Sequence, residues 1–365
     1  MSKKIIKMIL TNSFKNDNRV LKEARTLVEN GYDVEVLAWD RENELLDKEI
    51  DYIEGIKVKR FYTYSKYGSG LKQILGLLKF THSIKKYLKN KKVDYLHCHD
   101  LDGGIVGFFI SCNIKLLDLH EFYDNENLNK IRLFFQVRIG DYLLKKFNKI
   151  ILCNDIQFKE YSKKTKNPIL MLYNYPRKYD FRNFNHIKNN EKIRIRFAGA
   201  VRDYDAISAL IKSSENIDNI NIYINGGGVV LDKIKNISKA KNIEITGSFY
   251  IEELKKFYEE TDITYAIYTP NRKNNTVGIP VKAYESLMLD IPIIAVKNTI
   301  LGNLIDKYDI GFTVKLPIEE ELKKLIKIIS LNPKMIKEKK KNLENSKLNF
   351  SWEELEKKLI KFYEN

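Results

Sequence analysis

Short, continuous apolar runs alternate along this chain with amphipathic helical stretches, and the alternation occurs twice. The first series has apolar runs at residues 5–10, 34–38, 56–61, 95–99, 115–119, 149–153 and 169–172, with helical patterns at 18–30, 71–89 and 131–147 between them. Runs this short and this uniformly apolar suit strands covered on both faces, and parallel strands need a crossover, usually a helix, to connect them. The reading is a doubly wound parallel sheet of the Rossmann-like α/β class. The first βα loop, residues 11–17, lacks a GxGxxG fingerprint, which argues against a dinucleotide-dependent oxidoreductase.

A polar stretch at 174–192, with Pro176, several Asn and many charges, reads as a linker. Beyond it a second series follows, with apolar runs at 193–197, 220–224, 243–246, 264–268, 293–295 and 311–314. Helices are expected at 206–214 and 251–261 and around Glu285. A chain of 365 residues is too long for one ordinary core, and 44% hydrophobic residues suffice for two. The expected organisation is one Rossmann-like domain over 1–180, a second over 190–345, and a terminal helix over 350–365 with Trp352, Leu355, Leu359 and Phe362 along one face.

The formal charge is +16, from 64 Lys and Arg against 48 Asp and Glu. Such an excess favours an anionic partner: phosphorylated substrate, anionic membrane or nucleic acid. It is uneven. Between Asp51 and Lys92 stand eleven Lys and Arg against Asp51 and Glu54 alone. The helix over 71–92 joins lysines to an apolar stripe, a pattern shared by peripheral membrane helices and by ordinary core-facing ones. Cys98, Cys112 and Cys153 have no CxxC spacing, so neither a disulfide framework nor a zinc site is expected, in keeping with a reducing cytoplasm. Lys7 interrupts the first apolar run too early for a signal peptide, and no stretch reaches the roughly 18 apolar residues of a membrane span.

The segment most suggestive of chemistry runs from Asn275 to Ala295: a polar loop with Gly278, Ile279 and Pro280, a helix carrying Lys282 and Glu285, then a buried strand. Backbone N–H groups at a helix start can receive a phosphate, and a carboxylate one turn in can accept two hydrogen bonds from a vicinal diol such as ribose. The plainer reading is a helix joined to a strand, with Glu285 on the surface. Three other places stand at strand ends, where ligands of open α/β sheets collect. Gly199 leads to Arg202, Asp118-Leu119-His120-Glu121 follows the fifth run, and Thr11 to Arg19, with Ser13, forms the first loop. His97-Cys98-His99-Asp100 holds metal-ligand residue types, but strand alternation turns Cys98 away from the two histidines, and no metal is expected.

The 275–295 segment resembles the donor-binding stretch of GT-B glycosyltransferases, the retaining family-4 group in particular. That resemblance implies two Rossmann-like domains facing across a cleft, a nucleotide-diphosphate sugar as co-substrate, and Glu285 on the nucleotide ribose. Many members carry a second Glu eight residues earlier, where this chain has Val277. The variant Gly278-x-Pro280-x-Lys282-x-x-Glu285 is similar to members that assemble cell-surface polysaccharide. Arg202 corresponds to a pyrophosphate-binding cation. The Lys that usually follows is replaced by Asp203-Tyr204-Asp205, so Lys282 is the expected substitute. His120 resembles the strand-end His near the transferred sugar, with Glu121 orienting it. On the acceptor side stand Ser13, Arg19, His99 and Asp100, the last two as a strand-end loop. Arg19 opens a helix similar to the family's Pro-Arg-Val start and is read equally as a structural residue.

The mechanism implied keeps the anomeric configuration, with His120, Arg202 and Lys282 as catalytic groups and fixed cations in place of a metal. The alternatives are a nucleotide-sugar epimerase of the same shape and a non-catalytic, basic nucleic-acid-binding protein. The latter lacks a recognisable module of interleaved aromatics and cations.

Overall fold

The computed structural model describes residues 3–364, apart from 16, 67–70, 125–129, 190, 238 and 272. The chain divides into two compact units, Met1–Tyr173 with Leu355–Asn365, and Asn174–Glu354.

The first unit holds strands β1 (Ile5–Leu10), β2 (Asp33–Trp39), β3 (Ile50–Ile53), β4 (Ile56–Phe61), β5 (Tyr95–His99), β6 (Ile114–Leu119), β7 (Lys149–Leu152) and β8 (Ile169–Met171). They lie in the order β3-β4-β2-β1-β5-β6-β7-β8 and pair in parallel throughout, save β3 with β4. Helices α1 (Asn18–Glu29), α2 (Leu71–Leu88), α3 (Asp100–Phe108), α4 (Lys130–Lys146) and α5 (Asp155–Tyr161) make the connections. The seven apolar runs are the seven parallel strands. β3 escaped the apolar pattern because it is an edge strand with Ile50 and Tyr52 exposed. The Glu54-Gly55 turn joins it to β4 with both residues at positive φ, the geometry of a tight hairpin.

Asp100, expected on a loop, instead opens α3. Three glycines in nine residues disguise this helix in the sequence, yet they are what lets it lie flush on the sheet. A Cβ at Gly107 would meet Cys98 Sγ at 2.2 Å, and one at Gly104 would meet Leu117 Cδ1 at 2.6 Å.

The second unit holds β9 (Ile193–Ala198), β10 (Ile220–Asn225), β11 (Ile243–Ile245), β12 (Ile263–Tyr265), β13 (Ile293–Val296) and β14 (Gly311–Val314), in the order β11-β10-β9-β12-β13-β14 and wholly parallel. Its helices are α6 (Tyr204–Ser214), α7 (Leu231–Lys235), α8 (Leu254–Glu259), α9 (Lys273–Val277), α10 (Val281–Met288), α11 (Ile300–Tyr308), α12 (Ile318–Leu331) and α13 (Lys334–Ser346). The single helix expected over 251–261 is a 3-10 turn (Ile251–Glu253) followed by the short α8. The expected polar loop before Gly278 is in part the helical turn α9.

The last helix, α14 (Glu353–Glu364), buries Leu355, Leu359 and Tyr363. The expected fourth member of that face, Phe362, is half-buried, and Tyr363 takes the inward place. The spacing of four from Leu355 to Leu359 to Tyr363 keeps one stripe facing the first unit's core. The Tyr363 ring lies among Tyr32 and Tyr95, and its hydroxyl is 2.7 Å from His97 Nδ1. No helix among the described residues is long and apolar enough to cross a membrane.

Candidate functional sites

In the second unit the strand order reverses between β9 and β12, where an open parallel sheet leaves a crevice at its carboxyl edge. β9 leads into Gly199, whose φ of +143° suits only glycine. A Cβ there would also come within 3.1 Å of Lys282 Nζ. Behind Gly199 the loop after β10 approaches so closely that a Cβ on Gly226 would lie 1.8 Å from the Gly199 carbonyl oxygen. Gly199 N–H donates to the Asn225 carbonyl and Val201 N–H to that of Gly227, each at 2.9 Å. Residues 225–228 thus buttress the Gly199 turn, a role the sequence reading did not give them.

Lys282 stands in the first turn of α10, over the Phe197 ring at 3.3 Å and within 5.3 Å of the Tyr268 ring centre. Its ammonium is buried and has no hydrogen-bond partner among the described residues. Burial pushes its pKa down to about 7, with Glu285 pulling it up and Arg202 pushing it further down. The structure therefore brings Gly199 and Lys282 together, while Arg202 is exposed on the same loop. Asp203, which follows Arg202, caps α6 by accepting from Ala206 N–H and also accepts from the backbone N–H and hydroxyl of Thr269. That ties the loop after β9 to the segment after β12.

Glu285, one turn along α10, is about nine-tenths buried rather than on the surface. Its Oε2 accepts from the Tyr258 hydroxyl at 2.7 Å, a partner the sequence reading did not find. Gly278, Ile279 and Pro280 are half-buried, and Pro280 occupies the N-cap of α10 without a side-chain cap.

In the first unit the order reverses between β1 and β5, and a pocket of about 640 Å³ opens there. Ser13, Asp100 and Glu121 line it, together with Asp40, Arg41 and Gln136. Asp100 on its wall and Phe14, next to the lining Ser13, hold φ of +58° and +55°, conformations that cost a non-glycine residue roughly 1–3 kcal/mol.

His120 is clamped between two carboxylates. Its Nε2 is 3.2 Å from Asp118 Oδ2 and its Nδ1 is 3.5 Å from Asp100 Oδ2, while its backbone N–H donates to Asp100 Oδ1. Burial opposes charge on the ring, but Asp100 and Asp118 prevail and raise its pKa to about 9. Beneath it, Arg19 and His99 are buried. Arg19 Nη2 bonds both Asp118 oxygens, its Nε faces Glu23 at 3.1 Å, and its Nη1 donates to the Leu172 carbonyl. Burial works against the Asp118 charge, yet Arg19 foremost and then His120 hold that carboxyl well below its usual range. Glu23 is pushed well above the usual range by burial and by Asp118. His97 and His99 are both lowered by burial, His99 to about 3, so their rings are neutral. Arg19 thus joins Glu23, whose carboxyl is pushed toward its neutral form, to Asp118, and Asp118 in turn joins Arg19 to the His120 ring.

Glu23, His97, His99 and Asp118 each place one ligand atom within 4.8 Å of the others, a set of metal-binding type. Arg19, bonded to Asp118 and facing Glu23, already supplies the positive charge that this set would otherwise take from an ion. Glu23, and the pairing of Asp118 with Arg19, are neighbours of the candidate site that the sequence reading does not give. Glu23 and Asp118 are 95 positions apart, and only the α1-on-sheet packing joins them.

Residues 179–348 match the model of a family described as Glycosyl transferases group 1. Among curated proteins no relative matches the sequence. Among solved structures the chain is similar to sucrose-phosphate synthase from Thermosynechococcus elongatus, with a TM-score of 0.76 and 14% identity over 99% of this chain and 98% of that one. It is also similar to Anabaena HepE in complex with UDP and glucose, with a TM-score of 0.68 and 12% identity over 99% of each chain. A UDP-N-acetylglucosamine 2-epimerase shares the fold at a TM-score of 0.62 and 11% identity, over 93% of this chain and 91% of that one. At such identities the likeness is one of fold, the GT-B pairing of two Rossmann-like domains.

Proposed function

We propose, starting from the match of residues 179–348 to the group 1 glycosyltransferase model, that the chain transfers a sugar from a nucleotide-diphosphate sugar to a glycan or lipid-linked acceptor, with retention, in cell-surface polysaccharide assembly. Its place is at the cytoplasmic side, peripheral to a membrane. One observation carries the donor assignment. Lys282 is a buried ammonium with no hydrogen-bond partner among the described residues, beside a glycine turn and one helical turn before a buried carboxylate. A bound pyrophosphate would satisfy that cation, and an unsatisfied buried cation is costly without such a partner.

In this reading Gly199 lets the diphosphate approach the backbone. Lys282 and Arg202 neutralise it, the start of α10 with Gly278, Ile279 and Pro280 faces it, and Glu285 accepts from the ribose hydroxyls. As the bond from the anomeric carbon to the diphosphate oxygen breaks, Lys282 and Arg202 stabilise the charge gathering on the leaving group, a kind of preorganised stabilisation worth several kcal/mol. The acceptor oxygen bonds the same face of the anomeric carbon, and its proton passes to the departing phosphate oxygen. His120, a cation anchored at Nε2 by Asp118, keeps its Nδ1–H, which has only the longer 3.5 Å approach to Asp100 Oδ2, for an acceptor hydroxyl, with Ser13 and Glu121 lining the acceptor pocket. Arg19 and His99 act from beneath, as positioning residues for Asp118 and His120.

The test is thermal shift against UDP-, GDP-, ADP- and CDP-sugars, for the native protein and for Glu285→Ala, followed by turnover with and without chelator. A shift for one nucleotide class that is lost in the variant supports the donor site. Absence of any shift refutes it. Turnover abolished by chelator and restored by a divalent ion would refute the metal-free mechanism. Inversion of the donor sugar with no acceptor present would favour an epimerase.

A further inference from the structure

α3 packs between α2 and α4, so the three helices form one stretch of the first unit's surface. The apolar side chains there point the wrong way for a soluble exterior. Phe134 and Phe135 on α4 are 55% and 60% exposed, and Leu75 and Leu78 on α2 are 59% and 54% exposed. Of α4 only Gly140, Leu143 and Leu144 are buried, so its first turns turn their apolar residues outward. Between the helices, Phe109 on the segment after α3 lies under Lys85 of α2, and Phe108 meets Tyr142 of α4 edge to face at 5.5 Å.

Charge selects what covers this surface. α2 contains no acidic residue, and Lys85 and Lys86 end it. α4 has Lys145 and Lys146 in its last turn. Its single acid, Asp141, is engaged by Lys164 and Tyr123. A second copy of the chain would set these cations against their own kind. An anionic bilayer would take the aromatic and aliphatic side chains at its interface and the lysines at its headgroups.

We propose that α2, the end of α3 and α4 form a docking face for an anionic lipid bilayer, with Phe134, Phe135, Leu75 and Leu78 inserted at the interface. The apolar turns follow the carboxyl ends of β4 and β6, and Gln136 of α4 itself lines the 640 Å³ pocket. A docked bilayer would therefore border the pocket, which makes the acceptor a membrane-embedded lipid carrying a sugar. This deepens the transferase reading and rests on it for the acceptor, though not for the lipid contact.

The experiment is co-flotation of the full chain with phosphatidylcholine vesicles, with and without phosphatidylglycerol. It compares the native protein, Phe134→Ser/Phe135→Ser, and Lys145→Glu/Lys146→Glu. Native protein is expected on the anionic vesicles, with each double variant reduced about tenfold or more. High salt should weaken binding without abolishing it. Equal flotation of all three proteins, or none with native protein, overturns the proposal. So does a dimer in sedimentation that Phe134→Ser/Phe135→Ser splits while native protein ignores vesicles. Both double variants lie outside the donor site, so their nucleotide-sugar thermal shift serves as the folding control. Loss of flotation with that shift intact concerns the lipid face alone, whereas absence of the shift in native protein concerns the transferase reading.

Discussion

Lys282 Nζ lies 3.1 Å from the point that a Cβ on Gly199 would occupy. The two residues are 83 positions apart in the chain, one after β9 and one in α10, and the glycine is what leaves room for the buried ammonium.

Gly199→Ala is therefore expected to act twice. The added methyl crowds the ammonium, and alanine at φ +143° is strained, at a cost of about 1–3 kcal/mol. Thermal denaturation should show the loss, and nucleotide-sugar affinity should fall about tenfold or more because the turn moves against Lys282.

Lys282→Met should separate stability from binding. In the folded protein Lys282 titrates near 7, and in the unfolded chain near its ordinary 10.5. Between those values the unfolded chain holds the extra proton, so the native protein gains stability as pH rises from about 7 to about 10.5. At pH 7 and below the full penalty of the buried cation is present. The methionine variant should be more stable there, by a few kcal/mol, and this advantage should shrink toward pH 10.5. Denaturant titrations at pH 6 and pH 10 read the difference, while donor binding should be lost at both. In native protein, a nucleotide diphosphate bound above pH 7 should draw a proton onto Lys282, which calorimetry in buffers of different ionisation enthalpy detects.

In the buried chain beneath His120, Glu23→Gln and Asp118→Asn should differ sharply although both replace a carboxyl by an amide. Burial and Asp118 push the Glu23 carboxyl well up, toward its neutral form, so its substitution should cost about 1 kcal/mol. Asp118 is the anion that faces Arg19 and His120, and its loss strands a buried guanidinium, at about 3–5 kcal/mol. Equal costs in chemical denaturation would refute this distribution of charge.

His120 should titrate near 9 when its ring protons are followed by magnetic resonance. Its pKa is raised on folding, so its cation contributes stability fully below the unfolded value near 6.5, and the contribution fades as pH climbs through 9. Asp100→Asn should bring the titration down toward the ordinary histidine value. A ring that titrates near 6.5 in native protein would contradict the clamp.

The parallel strands were legible because burial on both faces writes itself as unbroken apolar runs, as in β1 and β5. β3 was not, since an edge strand with one solvent face carries Asp51 and Tyr52 in place of such a run. α3 was hidden by the glycines that its tight packing on Cys98 and Leu117 demands. At the sites, local order made Glu285, Lys282 and His120 visible as candidates. The partners that set their chemistry, Tyr258 for Glu285, Gly199 for Lys282 and Asp100 with Asp118 for His120, are joined mostly by tertiary packing, which single-sequence periodicity does not encode.

Tyr363 closes the core of a unit whose other strands and helices all precede Asn174. During synthesis the ribosome must therefore finish the entire second unit before the first can bury Tyr32, Tyr95 and His97 under their final cover. Until then the nascent first unit waits with an aromatic pocket open to water and to chaperones.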